Sequence, residues 1–565
     1  TLAAATIGFV SLALQGAWMR LFAVIFGSSS YALSLVLAAF ILGIALGSLV
    51  VQRWLHAWRP LGPLVGVALL TAAALWLTGP LFERLPYLVA SLRSRYLEHP
   101  DGFMLYGFGR FGLAFLVLLG PTTLFGAMLP LSARLAAKEL PGAGTGRIFA
   151  ANTLGAVLGA ALSLPVLVPW LGLDGVHQLG VWLMLACAAL LCASMHASVD
   201  TLHRRLAYLG VVLLSVGVVI APTSWDPQVI GSGAFRMKGP GVGDVHAFAE
   251  RAKRSTLLFH QDGADATVSV LERKGDRVLM VNGKPDASTR GDMVTQVMSA
   301  HVPLALHDSP DEVLVIGHGS GVTAGSALLH PEVSLDIIEV SQAVMDASSY
   351  FDAWSGAPLA SPRAEVIVDD VRSALRDRPA RRWDVIISEP SNPWVAGNAG
   401  LFSTDFFALL ASRLHNDGLV AQWVQRYETD DDTLLMVLRS FASAFEHVEV
   451  FQLYPTDLLL IGRDAATAPA LDELARRLSV DAVANDLKRV GLPGLAGLAS
   501  LHALTSEGVR ALLAAHPGPV NTVARPRLEF EAPRRLFRGE RAAVVSKADR
   551  RGLQNLKELS GSGLA

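Results

Sequence analysis

The sequence predicts a multi-pass α-helical membrane domain followed by an α/β Rossmann-like domain with a β-hairpin region at its start. Three observations carry this prediction. Apolar residues crowd into the first 225 positions of a 565-residue chain that is 52% hydrophobic overall. Residues 311–339, DEVLVIGHGSGVTAGSALLHPEVSLDIIE, run strand, glycine-rich turn, helix, strand. Beyond them, strand and helix patterns keep alternating to Val424.

In the first half, seven apolar segments are each long enough to cross about 30 Å of hydrocarbon. They are Leu2–Ile25, Ser30–Val51, Gly62–Phe82, Tyr106–Ala133, Ile148–Leu171, Val176–Met195 and Leu206–Ala221. The pairs Gly43/Gly47 and Gly155/Gly159 present small faces suited to close helix packing. Trp18, Trp54, Trp58 and Trp170 lie near segment ends, where interfacial anchors sit. Among the polar residues inside the segments, Gln15, Arg20, Arg110, Asn152 and His177, the two arginines are near enough to ends to snorkel. Packing and anchoring account for these residues more simply than a transport pathway. Cys187 and Cys192, five apart on one helix, read as small buried hydrophobes. The membrane domain is expected over 1–223.

Lys and Arg fall after the second and fourth segments and before the seventh, which puts those three loops in the cytoplasm by the positive-inside rule. Seven alternating crossings then leave the second half outside. A cytosolic nucleoside ligand argues the other way, and a cytoplasmic soluble half is expected. The fourth segment, interrupted by Pro121 and Pro130, is the place to look for a miscounted crossing.

Thr267–Val270 and Arg277–Val281 form a hairpin pattern, and Gly291–Ala305 is helical. The central unit follows. Val313–Ile316 is a β-branched strand, Gly317, Gly319 and Gly321 punctuate a turn, and Thr323–His330 is a helix closed by Pro331. Leu335–Ile338 then ends on Glu339. Glycines let a backbone approach a ligand, and an acid about 20 residues further on holds a ribose diol. Glu365–Val368, Trp383–Ile387 and Leu419–Val424 continue a parallel sheet, with Leu401–Leu414 helical. Acids stand at successive strand ends, Glu339, Asp370 and Glu389, and nucleoside hydroxyls and amines are natural partners for them. Gly397 and Gly400 suit the next loop to act as a lid. This Rossmann domain spans 224–450. A C-terminal extension of short helices with a terminal strand in RPRLEFEAP spans 451–537, and a loose tail covers 538–565. The net charge of −2 gives no basic footprint for nucleic acid.

The stretches WMRLFAVIFGSSSYALSLVLAAFILGIALGS, NGKPDASTRGDMVTQVMSAHVPL, VLVIGHGSGVTAG, DVIISEPSNPW and NTVARPRLEFEAP resemble the membrane-fused branch of the spermidine synthase family of aminopropyltransferases. That resemblance implies a spermidine synthase/methyltransferase-type fold, a small-molecule nucleoside substrate, no further cofactor, no metal, and a homodimer. It makes Glu339 the ribose acid, Asp370 the adenine-amine acid and Gln296 a substrate contact, with Asp292 and the turn residues Gly317, Gly319 and Gly321 in the binding set. The catalytic aspartate of the family is Glu389 here, and the second aspartate of its loop is Asn392. The aspartate that meets the aminopropyl amine is Ser320. A pocket tyrosine is Thr295, a glutamate is Val297, and a glutamine before the hairpin is Ala266.

These departures set the functional expectation. A dicationic acceptor needs carboxylates that this sequence has lost, while Ser320 removes a charge that would repel the α-carboxylate of intact S-adenosylmethionine and supplies a donor for it. The first reading is a membrane-bound S-adenosylmethionine lyase, in which the substrate's own carboxylate displaces 5′-methylthioadenosine and closes homoserine lactone. The second is an aminopropyltransferase using decarboxylated S-adenosylmethionine and an amine, with Glu389 as general base. Methyl transfer is a weaker third. A nucleoside-binding regulatory module of a transporter or sensor is the non-enzymatic reading.

Overall fold

A computed structural model describes residues 1–54, 60–139, 142–195, 201–241, 243–465 and 469–545. They form two compact units. One holds Thr1–Arg254, His260–Thr267 and Asn282–Lys284; the other holds Ser255–Phe259, Val268–Val281 and the chain from Pro285 onward.

The first unit is helical: α1 (Leu2–Phe26), α2 (Ser30–Trp54), α3 (Leu61–Phe82), α4 (Leu85–Tyr96), α5 (Gly102–Glu139), α6 (Ala143–Leu162), α7 (Val168–Ala193) and α8 (Thr201–Ile220). By length and composition, six helices among the described residues can cross a membrane, one of them the 51-residue run Ala143–Ala193. That run would be about 76 Å long if straight, more than twice the hydrocarbon thickness. It is not straight. After a π-helical turn at Ser163–Leu167, Gly172 takes φ 73° and ψ 171°, and the chain doubles back. Seven passes therefore remain. The fourth expected segment is one continuous helix despite Pro121 and Pro130.

Contacts between helices give their directions. Gly155 lies against Ala5 and Gly159 against Phe9, and Ser163 Oγ donates to the Ala13 carbonyl at 2.7 Å, so α6 runs parallel to α1. Leu14 meets Gly180, and Trp18 Nε1 donates to His177 Nδ1 at 3.2 Å, so α7 runs antiparallel to it. Tyr31 meets Phe103 and Ser48 Oγ donates to the Gly126 carbonyl, making α2 and α5 parallel. Thr71 meets Met128 while Ala74 meets Gly120, so α3 opposes α5; Gly210 meets Leu69 and Gly217 meets Trp76, so α8 follows α3. Successive passes alternate throughout.

The small faces at Gly43/Gly47 and Gly155/Gly159 are the seams of α2–α5 and α1–α6. A Cβ on Gly155 would fall 1.9 Å from the Ala5 carbonyl oxygen. Trp18 is not an interfacial anchor: it is buried against His177, whose Nε2 lies 2.8 Å from the Leu75 carbonyl. Trp54 and Trp170 are exposed as anchors would be, and Trp58 lies outside the described residues. Both arginines are engaged by backbone carbonyls. Arg110 is buried, donates to the Phe26 carbonyl at 3.1 Å and stacks over Tyr106, satisfying a carbonyl at the end of α1. Arg20 donates to the Asp265 carbonyl. Both cysteines are free and buried.

Next along the chain comes a four-stranded sheet, β1 (Thr256–Asp262), β2 (Thr267–Arg273), β3 (Asp276–Val281) and β4 (Lys284–Ser288), in that order. The expected hairpin is β2–β3, paired antiparallel from Val268↔Val281 to Arg273↔Asp276.

The second unit is built on an eight-stranded sheet: β5 (Glu312–Ile316), β6 (Ser334–Glu339), β7 (Ala364–Val368), β8 (Trp383–Ser388), β9 (Leu414–Gln425), β10 (His447–Tyr454), β11 (Asp457–Arg463) and β12 (His502–Leu504). Its order is β12-β10-β11-β9-β8-β5-β6-β7. Strands β5 to β9 are parallel, as the βα alternation predicts; β11, β10 and β12 are antiparallel, so the sheet is mixed rather than wholly parallel. Strands buried on both faces read as unbroken apolar runs. Accordingly Val313, Val315, Ile337, Val385 and Ile387 fill one core layer, and Leu314, Ile316, Ile338 and Ile386 the other. The direction of travel reverses between β5 and β8, which places a crevice at the carboxyl ends of these two strands.

Three expectations about the C-terminal part change. Leu401–Leu414 is a 3₁₀ turn at Asn398–Phe402, a helix at Thr404–Ala411 and then β9. The terminal strand is a helix, Arg527–Arg538: Leu528, Ala532 and Leu536 recur every four residues and are buried, while Phe530, which alternation would bury, is half exposed. The tail is packed as far as Val545. The Ala542 amide donates to the Arg426 carbonyl, Arg426 donates back to the Ala542 carbonyl, and Asp431 Oδ1 accepts from the Ala543 and Val544 amides. Residues 546–565 lie outside the described residues.

Candidate active site

The site grows from the turn after β5. Gly317, Gly319 and Gly321 have φ of 91°, 54° and 78°, a left-handed run that side chains oppose. A Cβ on Gly317 would meet the Glu389 carbonyl oxygen at 2.8 Å, because the Glu389 amide donates to the Ile316 carbonyl and holds the two strand ends side by side. Gly317→Ala is expected to lower unfolding stability by about 1–3 kcal/mol, from strain and this contact together. Chemical denaturation checks it, and an unchanged midpoint would refute the close approach.

Glu339 ends β6 beside this turn. Its carboxylate accepts from the His318 and Ser341 amides, each at 2.9 Å, which ties it to the glycine turn and to the chain just after β6. Asp370 follows β7 and is exposed. Its Oδ1 accepts from the Arg372 and Ser373 amides and caps the helix Val371–Asp377. Both acids edge the carboxyl ends of the parallel strands.

Glu389 follows β8. Burial pushes its pKa up to about 7, and the negative charge of Asp457 adds to the rise; the nearby Ser299 and Thr323 hydroxyls pull the other way. Asp457 starts β11, where its backbone pairs with Gln425 of β9. Its carboxyl accepts from Thr295 Oγ1 at 3.2 Å, Thr456 Oγ1 at 3.1 Å and Trp423 Nε1 at 3.3 Å. Burial raises its pKa above the usual carboxylate range, and Asp292 raises it further. Glu389, Asp457 and Asp292 thus make an acidic group linked through Asp457. The sequence argument had this region short of carboxylates. Asp457 was missed because it reaches the site through an antiparallel strand pairing, with no local motif to mark it.

The serine of the turn also behaves differently from expectation. Ser320 Oγ donates to Gln296 Oε1, and Gln296 Nε2 donates to the Ser288 carbonyl at 3.0 Å. Its proton is committed to Gln296, so it is no free donor for a substrate carboxylate. Val297 is wholly buried in a core layer. Asn392 is fully buried, and neither its Oδ1 nor its Nδ2 has a partner among the described residues. A buried amide left unsatisfied costs about 1–3 kcal/mol, which a polar ligand group would recover. His318 was not singled out from the sequence. Its ring sits in the glycine turn with both nitrogens unpartnered among the described residues, and burial lowers its pKa to about 4, so it is neutral.

The loop expected to act as a lid is pinned over its second half. Asn521 Nδ2 donates to the Ala399 carbonyl at 2.8 Å and to the Phe402 carbonyl at 3.3 Å, and a Cβ on Gly400 would strike Arg372. Ser391 Oγ donates to Asp286 Oδ1 at 3.0 Å. Among the described residues, His307, Asp384 and Asp417 lie close enough to share an ion, at the opposite, amino ends of the strands. There Asp384 Oδ2 already accepts from the Asp311 and Glu312 amides.

Residues 292–457 match the spermine/spermidine synthase domain. A polyamine aminopropyltransferase of Corynebacterium efficiens is 28% identical over 319 residues, 54% of this chain and 58% of that protein. A spermidine synthase of Dictyostelium discoideum is 30% identical over 180 residues, 32% of this chain and 63% of that protein. The chain spans under two thirds of the length of each. A solved spermidine synthase from Thermotoga maritima is 23% identical, with a TM-score of 0.33, over 37% of this chain and 73% of that one.

Proposed function

We propose that the α/β unit is an aminopropyltransferase: it binds decarboxylated S-adenosylmethionine, passes the aminopropyl group to an amine and releases 5′-methylthioadenosine. The observation that carries this reading is the acidic group Glu389, Asp457 and Asp292 beside the glycine turn. An amine acceptor is a cation, and carboxylates are what would hold it. To attack, its nitrogen must give up a proton. A carboxyl with a pKa of about 7 is poised to accept one near neutral pH. The free nitrogen then bonds to the carbon that carries the sulfonium, the C–S bond breaks, and its electron pair leaves on the sulfur of methylthioadenosine. Glu339 and Asp370 are assigned to the ribose and the adenine amine.

The lyase reading rested on a pocket depleted of carboxylates and on a free serine hydroxyl. Asp457 refills the one, beside the Asp292 already expected there, and Gln296 engages the other. The names of the relatives also favour transfer to an amine.

The test is product analysis on the purified full-length chain. Methylthioadenosine is expected only when decarboxylated S-adenosylmethionine and an amine are both supplied. Methylthioadenosine from intact S-adenosylmethionine alone would restore the lyase, S-adenosylhomocysteine would mean methyl transfer, and tight nucleoside binding without turnover would mean a regulatory module.

A pH profile gives a second check. Below its pKa Glu389 is protonated and cannot accept a proton, so kcat/KM should rise about tenfold per pH unit toward pH 7 and then level off. A bound ammonium stabilises the carboxylate, so the limb seen in kcat should lie at lower pH than that in kcat/KM. A flat profile between pH 5 and 8 would remove Glu389 from the role.

A further inference from the structure

We infer that the α/β unit stands on the non-cytoplasmic side of the membrane, and that its substrates are drawn from that compartment. The argument needs only the helical unit and the chain that leaves it. The seven passes alternate in direction, as their contacts show, so two sets of connections lie at opposite ends of the bundle. At one end are Thr1 and the α2–α3, α5–α6 and α7–α8 connections. At the other are the α1–α2, α3–α5 and α6–α7 connections and the exit of α8 at Ile220.

Basic residues are unevenly shared between these ends. The first carries Arg53, Arg59, Arg134, Lys138, Arg147, Arg204 and Arg205. The second carries Arg84, Arg93 and Arg95 in its connections. Arg20 and Arg110 lie within helices toward that second end, and counting them leaves the bias in place. Arg93 is moreover buried and bonded to the Arg236 carbonyl at 2.8 Å. Short connections rich in Lys and Arg are retained in the cytoplasm. The exit of α8 is therefore outside. Thr223, just past that exit, packs on Gly79 near the end of α3 and bonds to Gln178, which ties the outgoing chain to that end. Beyond it, the longest apolar helix among the described residues is Met293–Leu306, about 21 Å long and too short to cross back.

The consequence for chemistry rests on the aminopropyl-transfer reading. A sulfonium nucleoside is a permanent cation that does not cross a bilayer unaided. A translocation step must supply it on the outer face, and the acceptor amine must be available there.

Two single-cysteine variants test the topology in the full-length chain: Gln52→Cys on the basic end and Glu332→Cys in the α/β unit, both exposed positions. The native Cys187 and Cys192 are buried and give little background. In right-side-out vesicles, a membrane-impermeant maleimide should label Glu332→Cys and spare Gln52→Cys; inside-out vesicles should give the reverse. The opposite pattern overturns the inference. If a variant fails to accumulate, protease added to right-side-out vesicles of the unaltered protein should digest the α/β unit, and protection would overturn the inference equally. Neither readout depends on catalysis. If labelling is as expected but added decarboxylated S-adenosylmethionine and amine yield no methylthioadenosine, the transferase reading fails and the topology stands.

Discussion

Glu389→Gln is expected to lower kcat about 10²–10⁴-fold while nucleoside affinity stays within a few-fold, the loss typical when a positioned general base is removed. Glutamine keeps the shape of the side chain and its contacts near Ser299 and Thr323 but cannot accept the acceptor's proton. Isothermal titration with methylthioadenosine, alongside steady-state rates, separates the two effects. The variant should also lose the rate limb near pH 7, which a merely structural role would leave in place. Equal losses of affinity and turnover would make Glu389 a scaffold residue.

Asp457→Asn should act on the amine. A hydrogen bond to a charged group is worth about 1.5–3 kcal/mol, so KM for the acceptor should rise about 10- to 100-fold with KM for the nucleoside little changed. The same substitution removes a negative charge that pushes Glu389 upward, so the rate limb should move to lower pH. The paired outcome, weaker amine binding together with a more acidic base, distinguishes electrostatic partnership from loss of packing. Asparagine can keep the bonds from Thr295 and Thr456. A variant with an unmoved limb would show that the two carboxyls act independently.

Much of this was legible in the residues. The glycine turn, Glu339 and Glu389 are local: each sits within a few residues of a strand whose apolar run announces it. The long apolar helices are local in the same sense, down to the two small-residue seams. What escaped depends on distant pairings. Asp457 enters the site because β11 pairs with β9, and nothing in Thr456-Asp457-Leu458 marks that pairing. Ser320 seemed free because its partner, Gln296, comes from a helix 24 residues earlier. The RLEFEAP segment was misassigned for another reason. Leu528, Ala532 and Leu536 fit both a two-residue and a four-residue period, and the exposure of Phe530 decides between them.

The parallel seam of α1 and α6 carries a consequence for biogenesis. Ala13 and Ser163, which bond across it, are 150 residues apart. At roughly 5–20 residues per second of synthesis, the first helix waits about 8–30 s for the sixth to emerge. During that interval the carbonyls around Ala5 and Phe9 and the open groove at Gly8 face lipid instead of a partner. The first helix is therefore a client for whatever shelters unpaired segments during insertion, and newly made chains interrupted before α6 should be degraded faster than chains interrupted after it.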